Sequence, residues 1–284
     1  MIHSFLLIGQ SNMAGRGYLR DVGQIYDEQI KVLVNGRWQT MTEPINFDRP
    51  TAGIGLAASF AATWRMENQE EQIGLIPCAD GGTSLDDWNI GGALFENAIF
   101  QAKVAQRTSK LSGLLWHQGE NDSFAGRSET YYDTLSNIVE ALRRELDAPE
   151  IPFIAGELGH FLRDGRYGKY FTEYNQVNQA IQRYTHTKPN AYFVSASELT
   201  SNDDGLHFNA ISQRIFGVRY FKAYSQKEDV LLPLPEERQM VKVLEGRPLS
   251  RNERIALLEI SFSSGKISLN DFENQLADLN NWPL

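Results

Sequence analysis

Five times in the first 195 residues a short apolar run stops at a polar, glycine-bearing loop. The runs fall at 5–8, 72–77, 111–116, 152–155 and 191–195, and helical patterns follow at about 93–107, 129–146, 171–185 and 211–224. An alanine-rich helical stretch at 56–66 precedes the second run. Strands that alternate with helices of this length need crossover connections, so they build a mostly parallel sheet covered on both faces. The expected fold class is α/β, a three-layer α/β/α sandwich on a five-stranded, mostly parallel sheet.

That topology has a consequence for chemistry. Parallel strands all end on one rim, and ligands bind in the crevice beyond those ends. The loops expected there carry Ser11, the Gly81-Gly82 pair, Gln118, His160, and Asp204 with His207. A serine at a strand end is either the N-cap of a helix or a nucleophile, and its own stretch favours the cap. The other loops shift the balance.

The chain of 284 residues has a formal net charge of −9. An acidic surface disfavours nucleic acid and anionic membranes, because both call for basic patches. Cys78 is the only cysteine, which excludes a disulfide scaffold and a multi-cysteine metal site. A buried, inert thiol is expected. The first strand begins within a few residues of Met1, with no basic leader and no long apolar run, so a soluble cytoplasmic protein is expected.

Between the first two strands, Asn35-Gly36 separates two short apolar-polar alternations, a hairpin signal. We read it as an excursion over the sheet edge. Beyond residue 225 the character changes. Residues 231–235 form a Leu/Pro strap, followed by a short charged helix and a helical hairpin near 252–262 and 269–279. The expected division is an α/β domain at 1–225 and a linker with a helical hairpin at 226–284. The hairpin is too small to be stable alone, so it docks on the core or on a second copy of the chain, making a homo-oligomer.

A serine hydroxyl needs an imidazole to take its proton, and the imidazole needs a carboxylate to fix its tautomer. Asp204-Gly205-Leu206-His207 supplies both from one loop, with Asp203 one residue too far away. Acyl transfer also needs donors for an oxyanion. The Ser11 amide, a glycine amide of Gly81-Gly82 and the Gln118 side chain are the candidates.

Gly9-Gln10-Ser11-Asn12-Met13, Gly81-Gly82-Thr83, His117-Gln118-Gly119-Glu120-Asn121-Asp122 and Asp204-Gly205-Leu206-His207 occur in this order. Together they resemble the SGNH hydrolases, a flavodoxin-like fold, and within them the carbohydrate-esterase branch that holds acetylxylan esterases and sialate O-acetylesterases. The resemblance covers about residues 2–224. It implies Ser11 as nucleophile, His207 as base and Asp204 as its partner, with Ser11 N–H, Gly81 or Gly82 and Gln118 in the oxyanion hole. Glu120 is implied near the site, either tying the serine loop or Arg16 or serving as a structural ion pair. No cofactor and no metal are implied, and the implied substrate is a small acetylated carbohydrate. Trp88, Trp116 and His117 are read as packed residues, and His160 as a rim residue that either contacts a sugar hydroxyl or is structural.

Overall fold

The computed structural model describes residues 1–280. Its centre is one seven-stranded sheet in the order β3-β2-β4-β1-β5-β6-β7. The strands are β1 (Ile2–Gly9), β2 (Ile30–Val34), β3 (Arg37–Thr40), β4 (Gln72–Pro77), β5 (Lys110–His117), β6 (Phe153–Gly156) and β7 (Ala191–Val194). All neighbouring pairs are parallel except β2 with β3.

The expected five strands are β4, β1, β5, β6 and β7, in flavodoxin-like order. The correction lies at 29–42. Asn35 and Gly36 both take positive φ, as a two-residue hairpin turn requires, but the hairpin is part of the sheet. Ile30 and Val32 pair with Ile73 and Leu75 of β4. Alternation suggested a half-exposed excursion, yet Val32 and Leu33 are buried against opposite layers, as befits a strand with both faces covered.

Successive residues of β1 divide the same way. Phe5 and Leu7 face one core, shared with α2 (Ala57–Glu67) and α6 (Ala210–Gln226); Leu6 and Ile8 face the other, shared with α3 (Ala93–Gln106), α4 (Tyr131–Glu145) and α5 (Tyr174–Thr187). The remaining helices are α1 (Ser11–Ala14), α7 (Glu237–Glu245), α8 (Arg251–Ser263) and α9 (Leu269–Asn280). Helices on both faces make the three layers. Each fully buried Leu, Ile or Phe contributes about 1.5–3 kcal/mol, so β1, with Phe5, Leu6, Leu7 and Ile8 all fully buried, ends on a firmly anchored platform.

The C-terminal segment is fastened to the core at several points. Val230 bonds Phe193 and Ser195, which adds a single parallel bridge at the β7 edge. Arg219 of α6 is fully buried and pairs in a fork with Glu237 of α7, at 2.8 and 2.6 Å. Glu253 of α8 caps its own helix and accepts the Glu28 amide at 3.0 Å, so α8 docks on the core. Removing one partner of a buried pair leaves an uncompensated charge. Glu237→Ala is therefore expected to destabilise the chain by about 3–5 kcal/mol in urea unfolding, with Arg219 the charge left behind.

Candidate active site

The rim is built by two turns fastened to each other. Gly9 ends β1 at φ +131, and a Cβ there would lie 2.1 Å from the His117 carbonyl, so only glycine lets β1 and β5 approach so closely. Gln10 N–H donates to that carbonyl at 2.9 Å, and the Gln10 side-chain oxygen accepts from Gly119 and Asn121 amides. Ser11 thus opens α1 on a fixed base. Its N–H comes first in the helix, where no intrahelical acceptor exists.

His207 Nε2 lies 3.0 Å from Ser11 Oγ, and His207 Nδ1 lies 2.7 Å from Asp204 Oδ2. The carboxylate accepts from Nδ1–H, which leaves Nε2 to accept the serine proton. The other Asp204 oxygen takes the Leu206 and His207 amides at 2.8 and 2.9 Å, so the loop folds around its own aspartate. Burial works to raise the Asp204 carboxyl, but the hydrogen bonds from the His207 ring and the two amides outweigh it and bring it down to about 2. Asp203 is exposed.

Asn12 holds the two loops in register. Its side chain donates to Glu120 and to the Leu206 carbonyl, and it accepts the Phe208 amide at 3.0 Å, so it grips the residues on both sides of His207. Glu120 is 1 % exposed and faces Asn12, not the cleft and not Arg16. Its role is that of a tie behind the serine loop. Asn12→Ala is expected to lower turnover by about 10- to 100-fold with KM little changed, since a small misplacement of His207 against Ser11 is costly. Glu120→Ala acts through the same contact, so the double variant should lose no more than the worse single one in steady-state kinetics.

Gln118 differs from the expectation. It is fully buried, and its amide nitrogen donates to Gln10 at 3.2 Å, to the Thr83 carbonyl at 3.1 Å and to Asp122 at 2.5 Å. An amide with two hydrogens and three acceptors is committed inside the protein, so Gln118 braces the rim loops and does not face the cleft. The glycine pair splits as well. Gly81 packs so close to Arg16 and Asp48 that a Cβ there would run into the Arg16 guanidinium, with Ser11 Cβ at ordinary contact distance, and its N–H donates to Asp48 Oδ2 at 2.9 Å. Gly82 is exposed at φ +78, a Cβ there would meet nothing, and its N–H has no protein acceptor among the described residues.

Sequence reasoning missed what sets that loop. Asp48 and Arg49, in the segment between the hairpin and the alanine-rich helix, hold the Gly81 peptide from both sides, the carboxylate on its N–H and Arg49 on its carbonyl at 2.9 Å. Arg16 forms a fork with Asp48 at 2.5 and 3.3 Å, both side chains being nearly buried. Arg16 also lines a cleft of about 730 Å3 with His207, Asp204, Tyr18 and Asn202. The sole available signal was Arg16 itself, five residues after Ser11.

The remaining candidates lie elsewhere. Trp88 and Trp116 are fully buried and meet edge to face at 5.8 Å, as core residues. His117 is buried and held to the Glu157 carbonyl at 3.1 Å. His160 is half-exposed and paired with Glu157 at 3.0 Å, outside the cleft lining. Burial pushes the Cys78 thiol up to about 12, which leaves it protonated and unreactive at neutral pH. Among the described residues no helix is long and apolar enough to cross a membrane, and no cluster of three His, Cys, Asp or Glu could hold a metal ion.

Comparison with known proteins bears on this geometry. Residues 1–226 match the model of the family described as carbohydrate esterase, sialic acid-specific acetylesterase. A probable carbohydrate esterase of Arabidopsis thaliana is 26% identical over 242 residues, covering 78% of this chain and 89% of that protein. An X-ray structure of an Arabidopsis thaliana protein, also 26% identical, superposes with a TM-score of 0.70 over 79% of this chain and 98% of that one. NanS is similar in fold, with 17% identity, a TM-score of 0.66, and 80% and 97% coverage. A carbohydrate acetylesterase from Xanthomonas citri has 17% identity and a TM-score of 0.57, covering 78% of this chain and 55% of that one.

Proposed function

Because this chain belongs to the sialic acid-specific acetylesterase family of carbohydrate esterases, and is thus a carboxylic ester hydrolase, we propose that Ser11, His207 and Asp204 are its catalytic triad. The substrate is a small carbohydrate bearing O-acetyl groups, an acetylated xylo-oligosaccharide or an O-acetyl sialic acid. The observation that carries the reading is the line of hydrogen bonds from Ser11 Oγ through His207 to Asp204, at 3.0 and 2.7 Å.

In this mechanism His207 Nε2 takes the Ser11 proton as Oγ attacks the acetyl carbonyl, and Asp204 stabilises the imidazolium. The oxyanion is received by the Ser11 and Gly82 amides, neither of which has a protein acceptor among the described residues. His207 then protonates the departing sugar oxygen. Water, deprotonated by the same histidine, attacks the acetyl-enzyme, and collapse of the second tetrahedral species releases acetate and returns the proton to Ser11. Every proton moves through one imidazole, so no cofactor enters the scheme. The reading places its action in the cytoplasm, on imported sugars.

The cleft beside His207 carries the charged and polar side chains of Arg16, Arg20, Asn202 and Asp204, a poor setting for a long acyl chain. Turnover of p-nitrophenyl esters is therefore expected to fall from acetate to butyrate by about tenfold or more and to be negligible for octanoate, with acetate released from acetylated sugars. Octanoate turned over as fast as acetate would replace this reading with a lipid hydrolase.

A further inference from the structure

A second hollow, of about 300 Å3, lies on the same rim as Ser11, at the carboxyl ends of β2 and β4. Its wall includes Asn35, Phe47, Asp48, Asp80, Asn97 and Gln101. The Arg16–Asp48 pair stands between it and the cleft beside His207, with Arg16 lining one depression and Asp48 the other. The Asp48 carboxylate also holds Gly81, which packs on Ser11. A ligand reacting at Ser11 and extended by one unit along the rim would enter this hollow.

Its chemistry is specific. Phe47 is 75 % exposed, an aromatic face left in water with no packing role. Four carboxamides line the hollow with it; Asn46 already donates to the Ala14 carbonyl at 3.3 Å, and the other three, Asn35, Asn97 and Gln101, share one long 3.5 Å contact from Gln101 to Asn97. Each amide offers donors and acceptors side by side, which matches vicinal hydroxyls. The two carboxylates are already neutralised, Asp48 by Arg16 and Asp80 by Arg49 at 2.9 Å, so the hollow favours an uncharged polyol over an ion. Its volume stands at the lower end for ligand pockets and suits a single ring.

We infer that this hollow is a subsite for a second sugar ring of an oligosaccharide whose acetylated ring sits at Ser11, with Phe47 as the stacking face and Asn97 and Gln101 as hydroxyl partners. The inference rests on the carbohydrate esterase reading above. The test compares kcat/KM for acetylated xylose with acetylated xylotriose, and for O-acetyl sialic acid with its sialyllactose conjugate, in wild type, Phe47→Ala and Asn97→Ala. Both residues are exposed on the rim, so the fold tolerates their loss. Wild type is expected to favour the longer member of at least one pair by about tenfold, each variant to lose most of that gain, and all three proteins to cleave p-nitrophenyl acetate within about twofold of one another. A gain in neither pair, or one that survives both substitutions, overturns the subsite while p-nitrophenyl acetate turnover leaves the esterase standing. Failure on that ester as well would reject the esterase reading itself.

Discussion

Ser11→Ala is expected to reduce acetyl ester turnover by roughly four to six orders of magnitude, leaving the fold and its unfolding midpoint unchanged. The argument is geometric. Among the described residues Ser11 Oγ has one hydrogen-bond partner, His207 Nε2 at 3.0 Å, and its removal takes away no core packing. What disappears is the covalent route, since the remaining amides can polarise a carbonyl but cannot attack it. The steady-state rate on p-nitrophenyl acetate and a urea melt on the same sample check both halves of this expectation. A variant that keeps a tenth of wild-type activity would mean that another group attacks.

The second large effect is at Asp204. Replacement by Asn keeps the shape but offers the His207 ring an amide that can donate, which favours the imidazole tautomer with its proton on Nε2, facing Ser11. In such a tautomer the base cannot accept, and kcat is expected to fall by about 10^4 at neutral pH. Acidity gives an independent reading. The Asp204 carboxyl is lowered from 3.8 to about 2 in the folded chain. A carboxyl lowered on folding stabilises the native state fully above its unfolded value, and that contribution fades as pH falls from about 4 through 2. Thermal unfolding followed from pH 5 to pH 2 should show wild type losing stability relative to Asp204→Asn over that range. Parallel curves would mean that the hydrogen bonds around Asp204 do not hold it ionised.

Much of this could be read along the chain, for a local reason. The five strands with helices after them announce themselves by apolar runs of the right length, and a parallel sheet then brings their loops to one rim without further information. Asp204 and His207 lie three residues apart, so their pairing follows from one turn. The failures concern partners far apart in sequence. Whether 30–34 joins the sheet depends on pairing with β4 some forty residues later, which alternation cannot reveal. Gln118 read as a free donor because two of its three acceptors, Gln10 and Thr83, come from distant loops, while only Asp122 comes from its own. Asp48 and Arg49 carry no local signal because the peptide they hold, Gly81, lies more than thirty residues away. Glu120 was open between two roles until Asn12 was found facing it.

One mass spectrum tests the central claim most directly. Wild type, Ser11→Ala and Asp204→Asn would be treated with a serine-directed phosphonate and examined intact, followed by peptide mapping of the adduct. The account predicts a single adduct on Ser11 in wild type, formed much more slowly in Asp204→Asn and absent from Ser11→Ala. An adduct on another residue, or equal labelling of Ser11→Ala, would contradict the assignment of Ser11 as the attacking group.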